Sequence, residues 1–532
     1  MARSLQAIIV AARDMMMLKT AALAGASWLA VMGAASAQEA IQTQHPAAPA
    51  DPRDARITAL EQELADIEAQ LADLKASAAA DTAEIRRVQA AAPATTIANG
   101  RPTFALTGDP NQKIALRAIA QFDVSQYVQD DPRTPDNRRA DTNAASDLNS
   151  GSNFRRARVG IDGSYGDWNY ALWGDFGGSG TETPVLNQAF IEYAGFKPWD
   201  DVSLRFRVGA WATPTSLEDA TATADLPFVE RPAVAELVRG IAGGDGRSGV
   251  GAFGNGGNWY ASGVLTGATV GNTGEFDEQS GYLARIAFRP LHSETLDVHV
   301  GANVAGVIDP ADTNAGAVTT QVLRLRERPE LRTDATRFVD TGSIPSGGVT
   351  AYGAELGASL GSFYAAAEAF QIDLDRTGGL SDPHFSGWYV QGAWTFTGER
   401  RTWLPASGGF SGIRPAAIFD PKTGHWGAWE ITARYSDLDL NFHEGALNSA
   451  AIAGDTVRGG EQQITTVGLN WYPNNVVRFI LDYQWASIDR LDPENGIVAN
   501  TTIFGGSPSV AGNGAQIGQD FQAVTLRSQF AF

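Results

Sequence analysis

The 532-residue chain contains no cysteine, which excludes disulfide frameworks, thiolate metal sites and cysteine nucleophiles. Lysine is nearly missing as well. Five lysines accompany thirty-five arginines, so a basic lining would be almost wholly guanidinium, charged at any working pH. Past the N-terminal region no apolar run approaches the ~20 residues a spanning helix needs, and a helical membrane protein is excluded. Histidines are few, and His292, His299, His384, His425 and His443 show no i,i+4 pairing of the metal-binding kind. No cofactor is expected. The formal net charge of −20 leaves nothing to neutralise phosphates, so nucleic acid is not expected as a partner. What a pore would pass is a separate question, decided by charge at its own constriction.

What the chain does hold is glycine and aromatic rings. Its 58 glycines and 13 tryptophans suit strands, turns and a membrane interface. Lys19 precedes a short apolar run from Thr20 to Gly33, and Ala35-Ser36-Ala37 is a small-x-small cleavage site before Gln38. Residues 1–37 therefore read as a secretory signal peptide, with Met15, Met16 and Met17 as alternative starts. Residues 38–100 read as a periplasmic linker and coiled coil. Ile57, Leu64, Leu71, Ala78 and Ile85 fall at position a, with Leu60, Ile67, Leu74, Asp81 and Val88 at d. That narrow seam over 57–88 wants partner helices; the other reading is an amphipathic helix laid on its own barrel. Ala91-Ala92-Pro93-Ala94 should end it.

From Lys113 to the last residue the period becomes 2. Val477, Phe479, Leu481, Tyr483 and Trp485 alternate with Arg478, Ile480, Asp482 and Gln484, and Trp429, Ile431, Ala433 and Tyr435 with Glu430, Thr432 and Arg434. Segments of about ten residues fit tilted transmembrane strands. Trp168, Tyr170, Trp199, Trp259, Tyr260, Tyr282, Trp471 and Tyr472 lie beside turn residues, as an interfacial girdle requires. Short turns alternate with long loops. Residues 101–532 are thus expected to form an all-β transmembrane barrel of about 16 antiparallel strands, preceded by the short α-helical coiled coil. Val524, Leu526, Ser528, Phe530 and Phe532 end the chain in a pattern resembling the one read by the outer-membrane barrel assembly machinery.

Val322, Arg324, Arg326 and Arg328 fall on one face of a segment whose Leu323 and Leu325 take the other. If the leucines meet lipid, the arginines line the lumen about 6.5–7 Å apart as successive anion sites. Arg156 and Arg158, then Arg205 and Arg207, repeat the spacing. The other reading is charge balance with lumen carboxylates such as Asp162, Asp175, Glu192 and Glu430. The polar stretch from Thr215 to Arg239 is long enough to fold inward, and it brings five carboxylates. Enzyme motifs are poor. Gly357-Ala358-Ser359-Leu360-Gly361 has the GxSxG spacing but lies within a strand pattern, and Gly249, Gly251 and Gly254 lead into another strand, not a helix.

Several stretches together carry a family resemblance. Phe154-Arg155-Arg156-Ala157-Arg158-Val159-Gly160 with Gly166-Asp167-Trp168-Asn169-Tyr170, then Ser216-Leu217-Glu218 with Phe228-Val229-Glu230-Arg231, stand in the first half. Arg326-Glu327-Arg328-Pro329-Glu330 with Val339-Asp340-Thr341-Gly342, Gly387-Trp388-Tyr389-Val390-Gln391-Gly392, Gly427-Ala428-Trp429-Glu430 and Gly468-Leu469-Asn470-Trp471-Tyr472 follow. In this order the chain resembles the phosphate-selective porins of the O and P type. The resemblance implies a 16-stranded trimeric barrel with an arginine ladder and, in some members, an N-terminal coiled coil. In phosphate-selective members the central site leans on lysines, whereas after Arg101 this chain has only Lys113, Lys197 and Lys422.

The expected function is passive passage of small anions across a Gram-negative outer membrane, phosphate or polyphosphate among them, with no turnover. Arg324, Arg326, Arg328, Arg156, Arg158, Arg205 and Arg207 are the expected pore-lining contacts. Expected partners are outer-membrane lipid, two sister subunits, the assembly machinery through Phe532, and peptidoglycan near the helix. Alternatives are a general non-selective porin, a cell-wall tether acting through the helix, and an outer-membrane hydrolase using Ser359.

Overall fold

The computed structural model describes residues 52–91, 95–98, 100–105, 111–129, 148–178, 185–271, 276–313, 321–452, 454–493, 514 and 516–532. The signal peptide expected at 1–37 lies outside them. The chain divides into two compact units, Met1–Arg86 and Arg87–Phe532.

Pro52–Ala91 is one 40-residue helix, α1, all but the last five residues of which belong to the first unit. It stops two residues before Pro93, where the ring would remove a hydrogen bond and clash with the preceding turn. Ile57, Leu60, Leu64, Ile67, Leu71, Leu74 and Ile85 are each half or more exposed.

The second unit is a closed barrel of sixteen antiparallel strands. A lead-in hairpin, β1 (Thr95–Ala98) and β2 (Arg101–Ala105), adds to the start of β3 (Gln112–Gln129). The wall continues through β4 (Gly151–Tyr165), β5 (Trp168–Asp175), β6 (Val185–Trp199), β7 (Val202–Trp211), β8 (Arg247–Asn255), β9 (Trp259–Thr269), β10 (Ser280–His292) and β11 (Leu296–Asp309). Three two-residue strands follow, β12 (Val322–Leu323), β13 (Arg326–Glu327) and β14 (Val339–Asp340). The wall resumes with β15 (Ile344–Leu360), β16 (Phe363–Arg376) and β17 (His384–Thr395). A small hairpin intervenes, β18 (Trp403–Leu404) and β19 (Gly409–Phe410), before β20 (Ala428–Phe442), β21 (Val457–Tyr472), β22 (Val477–Asp489) and β23 (Asp520–Ala531). Pairing of β23 with β3, from Phe521 opposite Gln129 to Ala531 opposite Ile119, closes the ring. Closure leaves no unpaired edge, which lipid would not tolerate.

Period-2 alternation sorts the side chains as expected. Leu481, Trp485, Val524, Leu526 and Phe530 are exposed on the outer face, while Arg478, Asp482, Gln484, Thr525 and Arg527 are buried inside. Two of the expected girdle residues are exceptions: Tyr260 and Tyr472 are buried. In each case the tryptophan one position earlier takes the outer face and the tyrosine turns inward, where the Tyr472 hydroxyl donates to Glu430 at 2.8 Å.

The expected arginine strand needs a larger correction. Val322 to Arg328 is not a spanning strand but lies in the connection from β11 to β15, where only Val322 and Leu323 pair with the wall, opposite Pro345 and Ile344 at the start of β15. Leu325 does not meet lipid; it is buried with Val234, Leu237 and Val238 of an inward-folded loop. Inside a barrel packed by its own loops, an apolar side chain has a second place to go, and alternation cannot tell that place from lipid. The rule of short turns at the end holding the chain termini has one exception too, since residues 396–427 form a long connection there.

Candidate functional site: the lumen

The loop between β7 and β8 runs through the barrel interior. It holds α2 (Leu217–Ala220), a single 3-10 turn at Thr223–Asp225, and α3 (Ala233–Ala242). Gly209, at φ +133°, allows β7 to bend before this departure; a Cβ there would meet the Ala189 carbonyl at 2.3 Å. One side of α3, with Val234, Leu237, Val238 and Ile241, packs on Ile372, Phe385, Tyr389 and Leu438 of β16, β17 and β20. That side of the lumen is a dry core.

Barrel side chains pin the loop at successive points. The Glu368 carboxylate of β16 accepts from Leu217 N at 2.8 Å, Glu218 N at 3.1 Å, the Ser216 hydroxyl at 3.1 Å and the Tyr389 hydroxyl at 2.8 Å. Across the lumen, Arg478 donates to the Leu226 carbonyl at 2.6 Å and Asp482 accepts from Val229 N at 2.9 Å. Glu230 then receives Arg155 at 2.7 Å and Arg527 at 2.9 Å, with Arg156 3.8 Å away. Burial alone would raise the Glu230 carboxyl, yet Arg155, Arg156 and Arg527 hold it well below the usual range. Arg155 and Arg156 both reach inward because the register slips between Gln121 and Phe122, leaving Arg155 as the extra residue of a β-bulge.

A second inward segment, residues 322–342, meets the first. Glu330, at φ +58°, accepts from Ala233 N, the first residue of α3, at 2.9 Å and pairs with Arg434. The third, residues 396–427, enters from the other end. Its β18–β19 tip is held by Arg285, which donates to the Ser407 and Gly408 carbonyls at 2.7 and 2.8 Å while paired with Glu355.

Among the described residues, three of the cavities share lining residues in sequence. The first, of about 380 Å³, lies between α3 and residues 323–337, with Arg239, Arg324, Arg326, Arg332 and Arg337 against Glu236 and Glu327. The second, of about 550 Å³, shares Arg239 and carries six cations, Arg101, Arg117, Arg158, Arg231, Arg239 and Arg414, against three side-chain carboxylates. The third, of about 500 Å³, shares Arg101 and Arg117 and adds Lys113, Arg205 and Arg207 against Asp162 and Glu192. Cations outnumber carboxylates in each. The acidic loop does not reverse this, because its carboxylates are engaged: Asp219 accepts from Arg239 at 2.7 Å, Asp225 from Arg414 at 3.0 Å and Glu236 from Arg332 at 3.0 Å.

A family model described as phosphate-selective porin O and P matches residues 132–516. The chain belongs to that family. It is an outer-membrane porin. Porin O of Pseudomonas aeruginosa is 27% identical over 369 residues, covering 64% of this chain and 78% of that protein. An uncharacterized protein of Caulobacter vibrioides is 25% identical over 469 residues, 81% of this chain and 86% of its own length. The anion-selective porin of Comamonas acidovorans aligns over 79% of this chain and all of its own, at 12% identity and a TM-score of 0.43.

The arginines singled out from the porin's sequence fall into different settings. Arg326 is exposed at the first cavity, and Arg324 beside it is engaged by Asp340. Arg328 is buried, its Nε without a partner among the described residues; burial, then Arg332 and Arg337, push its pKa down to about 10. Arg156 donates to Gln121 at 2.8 Å, and Arg158 bridges Asp175 and Asp245 at 2.7 and 2.6 Å. Arg207 pairs with Glu192 at 2.7 Å and stacks on Phe190 at 4.0 Å, so it is already engaged. Arg205 meets no carboxylate among the described residues; it donates to the Ala406 carbonyl at 2.8 Å. Sequence reasoning did not single out Arg101 and Arg117, which belong to isolated rather than repeated positions. For Arg155 a signal existed, the Arg155-Arg156 doublet interrupting an alternating strand. Ser359, of the GxSxG spacing, donates its hydroxyl to the Arg401 carbonyl at 2.6 Å.

Proposed function

We propose that this porin passes small anionic solutes by diffusion, oxyanions such as phosphate or polyphosphate among them, through a path that starts between α3 and the 322–342 segment and continues along the β3–β8 side of the lumen. The observation carrying this reading is the cation excess lining each of three successive cavities in a protein of net charge −20. In a confined, low-dielectric lumen nearby fixed charge outweighs distant surface charge. The carboxylates restrain affinity rather than reverse its sign, as conduction needs sites that bind and release. Of the seven arginines expected to contact solute, Arg324, Arg326, Arg158, Arg205 and Arg207 line these cavities and are kept in that role; Arg156 and Arg328 do not line them. A homotrimer, its α1 helices joined through their exposed seam, and contact of that helix with peptidoglycan complete the proposal, with insertion by the assembly machinery through Phe532.

The test is the reversal potential of purified protein in a planar bilayer under a potassium chloride gradient. Anion preference is expected, reduced in the Arg324→Ala/Arg326→Ala/Arg328→Ala variant. A cation-selective wild type would sink the reading, and equal permeability to both ions would leave a general porin.

A further inference from the structure

The lower end of the path contains a carboxylate seated as a permeating anion would be. Asp162 of β4 accepts from Arg117 Nε at 2.6 Å and Arg101 Nη2 at 3.2 Å on one oxygen, and from the Trp173 indole N–H at 2.7 Å on the other. Its three donors line both the second and the third cavity, while the carboxylate itself lines the third. A solute passing from one to the other must therefore pass these donors. The position is wet, since the Asp162 side chain is 27% exposed and those of Arg101 and Arg117 about 29% and 33%. Such an ion pair is weak and exchangeable, unlike the fully buried Arg285–Glu355 pair.

The donors have capacity to spare. Arg101 Nε has no hydrogen-bond partner among the described residues despite being buried. Lys113, on the same strand as Arg117, lines the third cavity too. A guanidinium donates to carboxylate and phosphate oxygens alike. Asp162 offers one oxygen to both arginines and the other to Trp173 without leaving the wall.

Resting on the anion reading above, we infer that Asp162 is a tethered competitor: its carboxylate occupies the oxyanion site of Arg101, Arg117 and Trp173, and each passing anion displaces it and is displaced by it. The effect is to hold affinity low where free guanidiniums would retain the solute. Asp162 thereby sets selectivity and residence without itself attracting anions. A merely structural Asp162 would act in the opposite direction, since its loss would let Arg101 and Arg117 move apart by mutual repulsion and weaken the site.

The experiment titrates single-channel chloride current in planar bilayers with inorganic phosphate, and separately with acetate, for wild type and Asp162→Asn. The variant should be half-blocked at about one-fifth of the wild-type concentration, the size expected from removing one partly exposed ion pair. Asp162→Ser should move the same way, so that the result does not rest on one side chain. Unchanged or weaker block in both variants would overturn the proposal and leave Asp162 as a support for its arginines. The wild-type reversal potential, recorded in the same bilayers, tests the anion reading separately: a cation-selective wild type removes that reading, while the ratio of half-block concentrations still decides the role of Asp162.

Discussion

At the scale of single residues, the lumen shows how a carboxylate becomes a fastening when guanidiniums surround it. Glu230 meets three arginines from two wall strands, β4 and β23, and so ties the inward loop to the seam where the barrel closes. Glu236 is held similarly. Burial would raise its carboxyl, but Arg239, Arg332 and Arg231 outweigh this and lower it to about 2. A carboxyl depressed in the folded state stabilises fully above its unfolded pKa of about 4.5, and the contribution is lost as pH falls toward about 2. Single-channel current should therefore stay quiet from about pH 7 to about pH 4.5 and grow noisy only nearer pH 2, as the loop loses this fastening. Noise rising already between about pH 6 and 5 would contradict that assignment.

Among elements, the inward loop is positioned by long-range partners more than by its own helices. α2 has four residues, too few to be stable alone, and Glu368 supplies acceptors for its first backbone N–H groups. Changing Glu368→Ala should strip those contacts while leaving the sixteen-strand wall intact. The expected outcome is larger unitary conductance and smaller ion preference, with insertion into the bilayer retained. Conductance equal to wild type would mean that Asp482, Arg478 and Glu230 hold the loop without it. The short β18–β19 hairpin follows the same logic from the other end, its tip carbonyls occupied by Arg285 and Arg205.

For the whole molecule, one half of the lumen is a dry core and the other is the charged path. Hydrophobic packing of α3 on β16, β17 and β20 is what displaces the water, and the arginines of β3–β7 face what remains. Net charge describes neither half. The helical unit makes a separate prediction: deleting residues 57–88 should leave unitary conductance and reversal potential unchanged, while chemical cross-linking through that helix disappears. Loss of conduction in an otherwise inserted variant would show the helix to be needed for the channel itself.

The barrel was legible in the sequence because period-2 alternation is a local property of the pleated strand, and lipid enforces it on each outer face. The helix and its end before Pro93 were legible for the same reason, heptad spacing and a missing N–H being local facts. Alternation also placed Arg205 and Arg207 on the inner face. It failed at Val322 to Arg328, where the same pattern arose from a leucine buried against α3, because period 2 says that two faces differ and not what each one meets. Which arginines are spent on Glu230, and which stand open to the path, was settled only when strands distant in sequence closed the ring and brought acid and base together; Arg207 with Glu192 and Arg324 with Asp340 meet across neighbouring segments. Charge pairing depends on distance in space, and that distance is a property of the closed barrel.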